Sequence, residues 1–205
     1  MATTTFNGPV RSENGFQMVS KNATTGTITV TSGDKMGTEA ATGAGIEGTA
    51  ATYITQVNRL KSDVSTNVNI VETKILIDLT GLRSTAADDI IGKDGDGVAY
   101  IGRVTTANQG VVFGVTMQCL ETPAGGDPDI DLYSATEATG VEDAPISGLT
   151  ETQIIDSGDL AAGTLVAGGD IAADQYLYLV AGSTTDADYT AGRILITITG
   201  YDVAS

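Results

Sequence analysis

The chain has 205 residues, enough for one large all-β domain or a smaller domain with an extended arm. Ten basic residues stand against 26 acidic ones, a formal charge of -16, and there is no histidine and no tryptophan. Such a balance excludes binding that neutralises nucleic-acid phosphates or anionic lipid, any histidine-dependent triad, and sugar stacking on indole rings.

The first residues, "MATTTFNGPV", have neither the basic n-region nor the apolar h-region of a signal peptide. No apolar run approaches the roughly 20 residues that span a bilayer. The chain is therefore expected to be made in the cytoplasm and to have no membrane partner.

Residues 1–64 are rich in Thr, Gly, Ala, Asn and Ser, with one clear strand signal in "TITVT". The stretch "GDKMGTEAATGAGIEGTAA" offers few large apolar groups to bury. "TYITQVNRLKSDV" fits either a short strand or a turn-rich helix. Together these features suggest an extended N-terminal arm over 1–64 with a hairpin or two; a set of ordinary surface loops is the alternative.

From residue 65 to 205 the pattern becomes that of a β-sandwich. "NVNIVETKILIDLTGL" alternates apolar and polar residues and is dominated by β-branched types. Similar runs are "VAYIGRV", "VVFGVTMQCL", "DIDLYSA", "TQIID", "GTLVAG", "QYLYLVAG" and "GRILITITGYDV", separated by Gly-, Asp- and Pro-containing turns. About eight strands without a long helix predict an all-β fold, an antiparallel β-sandwich of jelly-roll-like type. In "QYLYLVAG" the Tyr pair and the Leu pair fall on opposite faces, one expected in the core and the other towards solvent or a neighbour. Cys119 is the single cysteine, so no disulfide forms within the chain, and its apolar run predicts a buried, inert thiol.

Two acidic stretches are candidate calcium sites, because calcium takes six to eight oxygen ligands. In "KDGDGV", Asp94 and Asp96 flank Gly95, but valine occupies the next ligand position and no closing Glu follows. An Asp-Gly turn accounts for that stretch better. Residues 121–143, "ETPAGGDPDIDLYSATEATGVED", hold seven carboxylates and no basic residue. On a strand, Asp127, Asp129 and Asp131 would share one face and repel unless a cation or basic partner neutralised them. In a loop they are solvated or face a partner, which is the preferred reading. A glycosidase pair would need a cleft with aromatic walls, and no glycine-rich phosphate loop occurs. No catalytic, cofactor-binding or metal residue is assigned, and the chain is expected not to be an enzyme.

Several phrases resemble small virion proteins of tailed bacteriophages, notably those infecting marine bacteria and cyanobacteria. They are the opening "MATTTFNGPVRSENGFQ", the block from "DLTGL" through "DIIGKDGDGVAYIGRVTTANQGVVFGVTMQCLETPAGGDPDIDLYSATEATG", and the ending "DQYLYLVAGSTTDADYTAGRILITITGYD". The resemblance covers the N-terminal segment and most of residues 78–201, and it carries no active-site motif. It implies a capsid decoration or cement protein on the capsid exterior of the virion, a homotrimer that bridges and stabilises subunits of the major capsid protein. A head or tail fibre, or a receptor-binding β-module, is the alternative within the same particle.

Overall fold

The computed structural model describes residues 18–21, 28–32, 42–46, 52–60 and 67–204. The chain divides into two units, Met1–Asp34 and Lys35–Ser205. The described part of the first unit is one antiparallel hairpin, β1 (Met18–Lys21) with β2 (Ile28–Ser32). The second strand coincides with the "TITVT" signal.

Among its described residues, the regular structure of the second unit is nearly all β-strand. Its elements are β3 (Thr52–Leu60), β4 (Asn67–Asp78), β5 (Arg83–Ser84), β6 (Gly102–Val104) and the single-turn helix α1 (Thr106–Gln109). There follow β7 (Val111–Ala124), β8 (Ile130–Ala135), β9 (Glu151–Ile155), β10 (Leu165–Gly168), β11 (Gln175–Ala181), β12 (Ala187–Asp188) and β13 (Ala191–Ala204). Five strands form one sheet in the order β10-β7-β13-β4-β3, four form a second in the order β6-β11-β8-β9, and β12 and β5 pair separately. All these pairs are antiparallel. The all-β sandwich expected from the alternating runs is the architecture found.

The core lies between the two larger sheets. Ile75, Ile77, Val115, Met117, Cys119, Ile194, Ile196 and Ile198 face it from the first sheet; Ile130, Leu132, Leu177 and Leu179 belong to the same buried cluster from the second. Every second residue is buried over 71–77 of β4, 115–119 of β7 and 192–200 of β13, as period-two alternation dictates. The Cys119 thiol is fully buried and donates to the Glu121 carbonyl at 3.2 Å, and burial pushes its pKa up.

The second sheet is different. All six residues of β8 are buried, and so are the last five of β11. The loop over residues 137–149 covers its other side, with Gly140 N–H donating to Tyr178 Oη at 3.3 Å, while Ile91 and Ile101 bond the edge of β11 through their N–H groups. Tyr178 is consequently as buried as Leu177 and Leu179, its hydroxyl donating to the Glu137 carbonyl at 2.7 Å. The expectation that one pair of "QYLYLVAG" would meet solvent therefore fails. A strand covered on both faces reads as a continuous apolar run. Only Tyr176 remains half-buried, edge-on to Tyr100 with centroids 5.1 Å apart and with Arg103 over its ring at 5.2 Å.

The boundary at residue 64 also shifts. β3 pairs with β4 along nine residues, so "TYITQVNRL" is a strand of the main sheet. Residues 43–46 join the same unit: Gly43 donates to Tyr100 O at 2.9 Å, Gly45 to Val98 O at 2.8 Å, and Ile46 is buried. A Cβ at Gly43 would lie 2.1 Å from the Val98 carbonyl oxygen, so the glycine permits backbone contact rather than marking a segment with nothing to bury. Apart from the β1–β2 hairpin and Thr42, the rest of residues 1–64 lies outside the described residues.

Candidate functional site

The acid-rich run of residues 121–143 leaves β7, turns through Gly125 and Gly126, forms β8 and continues into the loop that covers the second sheet. Its carboxylates do not converge. Asp127 is fully buried and accepts three hydrogen bonds, from Ser183 N–H and Ser183 Oγ at 2.8 Å each and from Asp129 N–H at 3.1 Å. The backbone around it is held too: its N–H donates to Ser84 Oγ at 2.9 Å, and its carbonyl accepts from Tyr189 Oη at 2.7 Å. Asp127 thus ties the β7–β8 turn to the β11–β12 loop.

Asp131 plays a similar part for β9. Its carboxylate accepts from Gln153 Nε2 and from Ser157 N–H, both at 2.9 Å. Burial pushes its pKa up, while the Ser157 and Gln153 donors pull it back. Glu137 accepts from Thr150 N–H at 2.9 Å and Thr150 Oγ1 at 2.8 Å, and these bonds hold its pKa below the usual value. Asp129 sits between them with a buried Oδ1 that has no hydrogen-bond partner. Its pKa is raised first by burial, then by the charges of Asp131, Asp127, Asp159 and Asp156.

The other calcium candidates lie in a separate loop. Asp96 is ion-paired with Lys93 across the turn, and Gly95 and Gly97 take positive φ values of 75° and 94°. The structure therefore does not bring Asp94 and Asp96 together with Asp127, Asp129 and Asp131. Among the described residues, no group of three or more acidic, Cys or His side chains is arranged to hold a metal ion. No helix among them is long and apolar enough to cross a membrane.

Asp94 instead lines an open cleft of about 430 Å³ with Arg83, Thr85, Ala86, Glu142, Asp143 and Asp186. The guanidinium of Arg83 is committed to Asp186 at 2.6 Å and Asp188 at 3.1 Å, which raises its pKa. Glu142 has a raised pKa, through burial first and then the charges of Asp143 and Asp94. Asp94, Asp143, Asp186 and Asp188 are exposed. The result is a carboxylate-rich rim in which buried Asp127 holds the Asp186 loop through Ser183 and buried Asp89 holds residues 85–86. Sequence reading singled out Asp94 and the run holding Glu142 and Asp143, but not Arg83, Asp186 or Asp188, because Arg83 and its two partners lie more than a hundred residues apart.

A second surface is chemically opposite. Along the outer face of the five-stranded sheet, Leu165, Gln118, Leu195 and Leu76 stand in one cross-strand row, and Thr116, Thr197 and Lys74 in the next. Five of the six large apolar side chains exposed among the described residues are on this sheet: Val111, Phe113, Leu120, Leu165 and Tyr201. At its end the register of β7 slips, Thr199 opposing Gly114 and Gly200 opposing Val112. Phe113 is the extra residue of that bulge. It is 55% exposed, with its ring 6.2 Å from that of Tyr201. Three apolar residues in succession, "VVF", were the available signal, since they cannot all obey the alternation of a half-buried strand.

Comparison with known proteins adds no relative: no family model, no curated protein and no solved structure matches the chain.

Proposed function

We propose that this chain is a non-enzymatic structural protein of a tailed-phage particle, a decoration or cement protein that binds the outer head surface and bridges major capsid subunits. The phrase-level resemblance suggests the particle, and the observation that carries the reading is the rim. Asp186 sits on a loop that Asp127 holds through Ser183, and Asp89 holds Thr85 and Ala86 beside it, which suits docking onto a basic protein surface with little ordering cost. A protein that binds only the assembled shell stabilises that state by mass action.

Quantitative mass spectrometry of purified particles tests the reading. The expected outcome is a copy number comparable with that of the major capsid protein, on heads separated from tails. A few copies per particle, confined to the tail fraction, would favour a fibre or receptor-binding module instead.

A further inference from the structure

Five carboxylates meet around the start of β8. Asp127 and Asp129 come from the β7–β8 turn, Asp131 from β8 itself, and Asp156 and Asp159 from the loop between β9 and β10. None of the ion pairs among the described residues includes any of the five. Tyr189, whose hydroxyl donates to the Asp127 carbonyl, also faces Asp129, while Tyr133 and Asp88 face Asp131. Residues 182–185, which close the junction from the β11–β12 side, bring no ionisable side chain.

The acids of this group are not equivalent. Both oxygens of Asp127 and of Asp131 accept hydrogen bonds, whereas Oδ1 of Asp129 is buried without a partner. The Asp129 carboxylate lies directly against Gly182, where a Cβ would be 2.3 Å from its Cγ and 2.5 Å from each oxygen. The backbone of the same turn staples two loops. Gly182 N–H donates to the Asp129 carbonyl at 2.8 Å, Leu160 N–H donates to the Pro128 carbonyl at 2.9 Å, and Asp129 bridges Asp159. Ionised, Asp129 holds its charge beside four others with one oxygen shut from water; neutral, it carries neither penalty. Its side chain is only half-buried, so a small outward movement of either loop brings Oδ1 to solvent. Burial and the neighbouring charges accordingly raise its pKa from 3.8.

We propose that Asp129 is a proton-operated latch: uncharged, it keeps the 156–160 and 182–183 loops closed on the start of β8, and ionised, it lets them open. The closed form holds the proton more tightly than the open one. The latch's contribution to closure is therefore full below pH 3.8 and is lost as pH rises through the higher closed-state value. The 182–183 loop leads to Asp186, so the same proton sets how firmly that end of the rim is held. The latch stands on the fold alone and does not depend on the virion reading.

Hydrogen exchange of the full chain tests it, followed by NMR from about pH 4 to 7 and divided by the intrinsic rate at each pH. Protection of the Gly182 and Leu160 amides is expected to fall several-fold over the lower part of that range and then to level off. Asp129→Asn, uncharged and of the same shape, should keep that protection flat. Asp159→Asn, at an exposed position, removes one repelling charge and should leave a smaller fall than the wild type. It serves alone if the first variant misfolds. In the wild type the Asp129 carboxyl carbon should titrate above 3.8. Titration at or below that value, wild-type protection that is absent or does not change with pH, or an undiminished fall in either folded variant would each overturn the proposal.

Discussion

At the residue scale, Asp127 shows how an acidic residue becomes part of a protein's interior. A carboxylate is buried at tolerable cost when donors satisfy its oxygens, and Asp127 has three. Replacing it by alanine leaves the Ser183 and Asp129 donors without their acceptor. Asp127→Ala is expected to cost about 3 kcal/mol, a fall in melting temperature of roughly 9 °C, measured by thermal unfolding.

Asp129 is expected to behave in the opposite way. Its pKa is raised from 3.8 on folding, so the folded state holds the proton more tightly. Its contribution to stability is fully present below pH 3.8 and is lost as pH rises through the folded value. Asp129→Asn should therefore raise stability at pH 7 by about 1 kcal/mol or less, because the group is partly solvated. It should also flatten the pH dependence just above pH 4, as read by urea unfolding across that range. Sequence spacing put Asp127, Asp129 and Asp131 at alternating positions correctly. It could not tell which would be buried, because the donors come from residues 153–183, which are distant in the chain.

At the element scale, alternation in β4, β7 and β13 was legible because each has one buried face, whereas β11 was misleading because loops bury both of its faces. β3 was ambiguous because its neighbours in sequence supply no apolar context, while its partner β4 does. The contact between α1 and β13 was invisible to pattern reading, since it depends on what a glycine lacks. A Cβ at Gly200 would lie 2.0 Å from the Gln109 carbonyl oxygen, at the last residue of α1. Gly200→Ala is expected to cost about 2 kcal/mol by forcing α1 off the sheet. Gly114→Ala, on the open face with nothing within 4 Å, should be neutral or stabilising by a few tenths of a kcal/mol. Equal melting curves for the two variants would contradict this account of the packing.

At the scale of the whole molecule, exposed acids gather on a rim of loops, while the outer face of the five-stranded sheet carries described side chains of both signs. Composition announced the acidity, but not which acids would meet a cation. On the sheet, strand register puts Arg193 of β13 opposite Asp78 of β4 and Glu121 of β7, while Lys74 pairs with Glu72 two residues away on β4. The proposed role follows if the rim meets a capsid. Imaging of the intact particle at residue resolution tests that role most directly. The account predicts density for this sandwich on the outside of the head, with the rim of Asp94, Asp143 and Asp186 against basic residues of the capsid. Density for the chain only at the tail, or none on the particle, would contradict it.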